Sequence, residues 1–526
     1  MPMRSSRLGR LRTILLRPPG GAARHSGSIL GTNGYCLSVS PPVPDPSMAP
    51  ALREALQRGR FTAGALQVAL GTEPDGSPGT APVFERRLGD DDRAVLARLF
   101  LLGLEVDSGR AEAALAPASL QDLTAGGFLE RRGERVACPI RITPFEGLML
   151  AHDPEPISDP AAEIVTGLNS AARTLASLTP RRPAGRALDI GTGSGVQALL
   201  AATHCESVVA TDVNERALGF TRLGAALSGL ENVETRNGSF FDPVEGEQFD
   251  LIACNPPYVI SPDSELVYRD GGLEGDEVSR LAVRGAADHL SPGGVAVVLC
   301  NWVRPPFQPW PAPLREWLEG SGCDALLLHH VTEDALEYAA KWNTRFRAQP
   351  DRHGEVLDRW VGYYTERGIS ALSTGGVALR RSDRGQPVIT EMEMAVGPSG
   401  RAGEHVLRML DAADLLEGLD DEALMATELA LVEGHSLHRE RDHHRDGYDE
   451  ESVRVVLTDS AGLRPEFGPA VAALLIGLGA GAAPAELAPR LAGALGVSEE
   501  EARSAVLETV RELLAQGLVE SAQISP

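Results

Sequence analysis

Arg186-Ala187-Leu188-Asp189-Ile190-Gly191-Thr192-Gly193-Ser194-Gly195-Val196 is the stretch that decides the fold. A short apolar run ends in a glycine loop, and an Ala- and Leu-rich helix follows to about Thr203. The order is strand, loop, helix. Glycines let the backbone approach a ligand where any Cβ would collide. The third glycine separates two ligand classes. Dinucleotide sites use G-x-G-x-x-G, whereas here position 196 is Val and the pattern is D-x-G-x-G-x-G.

Moving outward, a second strand, Ser207-Val208-Val209-Ala210-Thr211, ends at Asp212. An acid about 20 residues after such a loop can accept both hydroxyls of a ribose. A third strand around Val233-Glu234-Thr235 leads into Gly238-Ser239-Phe240-Phe241-Asp242. Asp242 is the candidate acceptor for an adenine amino group. Phe241 either covers the adenine face or joins the core. Loop, Asp212 and Asp242, in this order and spacing, resemble the S-adenosylmethionine site of Rossmann-like methyltransferases.

The fourth strand, Phe249–Cys254, runs into Asn255-Pro256-Pro257-Tyr258. Two prolines remove two backbone donors and stiffen the chain. They fix where the Asn255 amide and the adjacent carbonyls point. Two such acceptors can hold both hydrogens of one planar NH2 group and aim its lone pair, while Tyr258 stacks on the flat group. Methyl transfer from a sulfonium is a direct displacement, so alignment supplies much of the catalysis.

Together these residues resemble the class I methyltransferases that modify planar nitrogens. Those include the release-factor glutamine-N5, ribosomal guanine-N2 and DNA adenine-N6 enzymes. Arg269-Asp270-Gly271-Gly272-Leu273-Glu274-Gly275-Asp276 is similar to the glycine-rich segment of the release-factor enzymes. A helix Glu277–Leu290, then Ser291-Pro292-Gly293-Gly294 and a strand Val295–Leu299, continue the pattern. The resemblance implies an α/β, Rossmann-like domain over residues 151–382 with a mostly parallel seven-stranded sheet. It implies S-adenosyl-L-methionine as cofactor, held by Asp189, Gly191, Thr192, Gly193, Gly195, Asp212, Asp242 and Asn255. It assigns the chemistry to Asn255, Pro256, Pro257 and Tyr258. The implied acceptor is a protein glutamine, with an RNA base amino group as the alternative and a SAM-binding module without catalysis as a third reading. The stretch from Thr332 to about Gly368 and the C-terminal third lie outside the resemblance.

Residues 1–47 carry six arginines and one acid, Asp45, and read as a disordered tail or an over-extended start. Residues 48–150 read as a small helical domain. Two short strands around Gly133 resemble the wing of a winged-helix domain. Arg131, Arg132, Arg135 and Arg141 on or near that wing are the candidate contacts for RNA. Residues 383–526 read as an acidic helical domain, either a small helical or a winged-helix-like one, with a helix start at Ser498-Glu499-Glu500-Glu501. His435, His438, His443 and His444 read as a solvated loop, because their spacing matches no metal motif.

The formal net charge of −24 argues against coating nucleic acid by bulk charge. Six scattered cysteines without a C-x-x-C pair fit a reducing cytosol rather than a disulfide framework. No apolar run is long enough for a membrane span. The expected partner is a macromolecular, translation-related substrate, with no membrane.

Overall fold

The computed structural model describes residues 42–521 except 75–78, 155–163, 264–268, 270–271, 441–442, 445–446 and 449–451. At its centre is an eight-stranded sheet. The strands are β1 (Ala184–Ile190), β2 (Cys205–Asp212), β3 (Val233–Asn237), β4 (Phe249–Cys254), β5 (Leu290–Val303), β6 (Cys323–Asp334), β7 (Ala371–Arg381) and β8 (Ile389–Glu393). Their order is β8-β6-β7-β5-β4-β1-β2-β3. β7 runs antiparallel to both its neighbours, and every other pairing is parallel. Parallel strands are covered on both faces and so read as near-continuous apolar runs. β1 and β2 show this: Ala187–Ile190 and Val208–Thr211 are buried throughout.

The sheet departs from the expected seven strands through β8. This strand lies past residue 382 and pairs parallel with β6. The α-helix Gly403–Gly418 also joins this layer. Its Val406, Leu407, Met409 and Leu410 share one core with Val295, Val297, Leu326 and Leu328. Acidic composition places this stretch in the C-terminal domain, but its apolar residues are buried against the sheet, and it packs there for that reason. β5 begins at Leu290 rather than Val295. Its register with β4 shifts between those residues, so Ser291–Gly294 is accommodated as an irregularity inside the strand.

The N-terminal part has winged-helix topology. Strand Val106–Asp107, helices Ser108–Leu115 and Leu120–Ala125, and strands Glu130–Arg132 and Arg135–Ala137 follow in turn. The last strand pairs with both others. This part does not stand apart from the sheet. Leu52, Leu56, Phe61 and Phe100 share a core with Ala217, Phe220, Leu223 and Leu227 of α-helix Glu215–Ser228, which follows β2. Ordered packing also begins before Met48. Pro44 is buried, and the Asp45 amide donates to the Gly126 carbonyl at 2.9 Å.

The C-terminal part has its own core, built from helices Pro469–Gly479, Pro484–Leu495 and Glu499–Ala515. Ser498 and Glu501 form a reciprocal capping box at the start of the last helix. The histidine-rich stretch is a strand rather than a loop: His435–Glu440 pairs antiparallel with Ser452–Leu457. Among the described residues no helix is long and apolar enough to cross a membrane.

Candidate active site

Three strand ends lie side by side. Ile190 is level with Thr211 on one side and with Cys254 on the other. Gly191, Asp212 and Asn255 therefore leave the sheet together at its carboxyl edge, where open α/β sheets bind ligands. Gly191 and Gly193 have φ of +67° and +55°. A Cβ on Gly193 would meet nothing within 4 Å, and one on Gly191 would point past the Asn255 carbonyl at 3.9 Å. These are positions where a side chain would fill a ligand cradle. Gly195 serves packing, since a Cβ there would stand 3.0 Å from the Thr221 hydroxyl.

Asp189 and Thr192 hold the loop from beneath. The buried Asp189 carboxylate accepts from the Thr192 hydroxyl at 2.7 Å and from the Ala198 amide at 3.0 Å. Burial pushes its carboxyl up to about 6, against the pull of those two donors. The structure thus gives these two residues a loop-holding position instead of the cofactor contact expected of them.

Asp212 faces the crevice. One of its oxygens accepts from the Gly193 amide at 3.0 Å and the other from the Asn214 amide at 2.9 Å. Burial raises its carboxyl above the ordinary range. Each oxygen keeps further acceptor capacity for a hydroxyl. Val213, half exposed beside it, adds an apolar rim that the sequence reading missed. Its signal was an apolar residue directly after a strand-end acid. Asp242 is exposed on a single 3-10 turn, Asp242–Val244. Phe241 turns inward, stacked on His289 at 4.7 Å and packed against the sheet core. Phe241 therefore takes the core role of its two readings.

On the chemical side, Pro256 is buried and the Tyr258 amide donates to the Pro256 carbonyl at 2.7 Å. The Asn255 side chain has no hydrogen-bond partner among the described residues, so its oxygen and NH2 are both available. Tyr258 meets Trp342 edge-on at 6.4 Å, and burial pushes its hydroxyl up to about 12. It is therefore a neutral aromatic wall, not a base.

Trp342 belongs to the stretch between β6 and β7, which forms helices Ala335–Trp342 and Pro350–Glu366. These helices clamp the segment after Tyr258. The Tyr338 hydroxyl accepts from the Ile260 amide at 3.2 Å and from Asn301 Nδ2 at 2.6 Å. The Tyr364 hydroxyl donates to the Ile260 carbonyl at 2.7 Å, and Trp360 Nε1 donates to Asp263 at 2.9 Å. Gly275 donates to the Tyr363 hydroxyl at 3.1 Å. Asp270 and Gly271 of the glycine-rich segment lie outside the described residues.

Three of the four wing arginines are engaged within the chain. Arg132 pairs with Glu105 at 3.1 Å and with Glu130 at 3.0 Å. Arg135 donates to the Glu105 carbonyl. Arg141 donates to the Ile140 carbonyl at 3.0 Å, and burial works against its charge. Arg131 alone of the four is exposed without such a contact among the described residues. Three of the four candidate RNA contacts thus make hydrogen bonds or ion pairs within the chain, and Arg132 alone among them has close carboxylate partners. A cleft of about 950 Å³ lies at the opposite, amino-terminal edge of the sheet. Paired charges, such as Arg384 with Asp414 and Glu417, line it, far from Asn255.

Residues 164–307 match the family described as Methyltransferase small domain. Residues 47–138 and 408–521 match two domains of unknown function. The chain is 36% identical over 157 residues to a release factor glutamine methyltransferase of Xylella fastidiosa, covering 27% of this chain and 55% of that protein. It is 37% identical over 122 residues to a ribosomal protein uL3 glutamine methyltransferase of Bradyrhizobium diazoefficiens, covering 21% and 38%. It is 33% identical over 144 residues to a ribosomal RNA small subunit methyltransferase C of Salmonella newport, covering 27% and 37%. The chain thus spans about half the length, or less, of these curated relatives. The sheet order and the family match give the central region the Rossmann-like class I methyltransferase fold. The glycine cradle, the strand-end Asp212 and the apolar Val213 fit S-adenosyl-L-methionine.

Proposed function

We propose that the chain is an N-methyltransferase that alkylates the side-chain amide of a protein glutamine, as the names of two relatives suggest. One observation carries the reading: the Asn255 amide, followed by two prolines and without a hydrogen-bond partner among the described residues, stands beside Gly191 just beyond the level of Ile190 and Cys254. Asn255 Oδ1 and a neighbouring main-chain carbonyl would each accept one hydrogen of the substrate NH2. The nitrogen is then held with its lone pair towards the cofactor. S-adenosyl-L-methionine, when bound, supplies an electrophilic methyl on sulfur. Asp212 and the loop amides hold it, and Tyr258 with Trp342 forms a wall that limits access of water to the acceptor. Transfer of that methyl to the held nitrogen would leave the sulfur with the C–S electron pair, and the proton that the nitrogen loses would pass to solvent. The chain's task is alignment, which for a displacement is worth several orders of magnitude.

A base amino group of ribosomal RNA is the second reading, favoured by the likeness to the small-subunit RNA enzyme. Incubation with methyl-labelled S-adenosylmethionine and a ribosome-rich extract separates the two. Label in the large-molecule fraction should resist nuclease and vanish with protease. Removal by nuclease instead would establish the RNA reading.

A further inference from the structure

Past Val303, β5 enters Arg304-Pro305-Pro306-Phe307-Gln308-Pro309-Trp310-Pro311. Phe307 is wholly exposed and has φ of +64°. Bulky side chains are rare in this left-handed region, and Gly or Asn would occupy it at less cost. The loop is also stiff. It carries four prolines, Trp310 stacks on His329 at 4.9 Å, and the Trp310 carbonyl accepts from Trp302 Nε1 at 2.9 Å. At its start, the Arg304 amide donates to the Ala371 carbonyl at 3.0 Å. A rigid loop thus presents an aromatic ring to solvent through a strained backbone. Among the described residues, none buries that ring.

The loop's place gives it a use. Val303 is paired with Leu372, and Asp334 with Ala371, so β5 and β6 end level at the carboxyl edge that carries Asn255. β5 runs on past β4, since Cys254 is already level with Val298. At about 3.3 Å per residue, Val303 stands about 13 Å beyond the level of Asn255. Leu336, in the first turn of the helix after β6, is the other large apolar side chain exposed there, at 55%. The ends of β5 and β6 are two strand spacings apart, about 10 Å. A macromolecule whose side chain reaches Asn255 has to cover this rim. The charges around Leu336 are mixed: Asp334 caps the helix, and Lys341 pairs with Glu333 at 2.7 Å. That is a poor track for a phosphate backbone and an ordinary setting for an apolar protein contact.

We propose that Phe307, supported by Leu336, is the anchor on which the methyl-accepting protein docks. This rests on the proposed glutamine methylation. The strain at Phe307 is then retained because the exposed ring is needed, as strained residues at binding sites generally are.

The test uses the full chain, a purified bacterial release factor as acceptor, and Phe307→Ser, Phe307→Gly and Leu336→Ser. The release-factor KM should rise about tenfold or more for the Phe307 variants. kcat and S-adenosylmethionine affinity should stay at wild-type values. Phe307→Gly should also raise the thermal midpoint while weakening docking, because glycine relieves the positive φ. An unchanged KM, with the wild type active on the release factor, would overturn the anchor and leave the proposed function standing. Loss of transfer to small-subunit ribosomal RNA, with the release factor unaffected, would make Phe307 a base-stacking residue and overturn the docking of a protein. A wild-type chain whose label in the ribosome-rich extract is removed by nuclease and not by protease would overturn both.

Discussion

Asn255 and Asp212 leave neighbouring parts of the same sheet edge, yet their removal should be felt in different measurements. Asn255→Ala takes an acceptor from the substrate NH2 and leaves Pro256, Pro257 and β4 in place. Turnover should fall by roughly 10²-fold or more, with cofactor affinity by calorimetry unchanged. Asp212→Ala should act on the cofactor. It removes the ribose acceptor and releases the Gly193 amide, so S-adenosylmethionine affinity should drop about tenfold or more. Asp189 offers a pH signature. Its carboxyl titrates near 6 in the folded chain against an ordinary value of 3.8. The folded state therefore binds a proton more tightly, and its contribution is complete below about 4 and lost as pH rises through 6. Asp189→Asn keeps an acceptor without that charge. Urea midpoints of the variant relative to wild type should climb between pH 4 and 6. These residues were legible because each sits within a few positions of a strand end, in a contiguous motif. Asp242 was read from the place where this fold commonly receives the adenine amino group, and it lies exposed on a short 3-10 turn after the third strand.

At the scale of elements, the helices Ala335–Trp342 and Pro350–Glu366 were visible in the sequence only as extra length. Their role depends on hydrogen bonds that span, for example, from Ile260 to Tyr338 and Tyr364. Tyr338→Phe deletes a buried hydroxyl that receives two donors, and leaves the Ile260 amide and the Asn301 Nδ2 group unpaired. The expected loss is about 1–3 kcal/mol in denaturant unfolding, with kcat reduced because the segment after Tyr258 is loosened. The wing shows the same limit in the other direction. Its arginines were legible as charge, while Glu105, which contacts both Arg132 and Arg135, lies about one strand pairing away in space and some thirty residues away in sequence.

The whole molecule is held together by shared cores rather than by linkers alone. Pro42–Ser47 packs between the helix after β2 and the N-terminal part: a Cβ on Gly219 would touch Val43 at 3.2 Å, the Asp45 amide donates to the Gly126 carbonyl, and Asp45 caps Ser47 at 2.9 Å. A chain begun at Met48 should therefore be less stable than one begun at Pro42, by about 1–2 kcal/mol in urea melts, the scale of a lost cap and a few apolar contacts. His405 ties the C-terminal part to the sheet layer. Its Nε2 bonds the Gln516 carbonyl at 2.7 Å, and its Nδ1 accepts from the Ala461 amide at 3.1 Å. Burial lowers its pKa to about 4. The ring has to stay neutral to accept from Ala461, so its contribution is present above about 6.5 and fades as pH falls towards 4. Thermal midpoints should decline over that range, and His405→Gln should flatten the decline.

The sequence by itself determined the sheet's central strands, the glycine loop, the strand-end Asp212 and the Asn255–Tyr258 corner. The ligand contacts of this fold come from main chain and side chains at strand ends, and a strand end with its loop is one contiguous run of residues. Only the tertiary structure decided the eighth strand, the clamp on Ile260, the partners of the wing arginines, the inward turn of Phe241 and the outward turn of Phe307. Each depends on which distant residue arrives at a given edge or face. Composition and periodicity carry no record of that, because burial and hydrogen bonding are settled between elements, after each has formed its own.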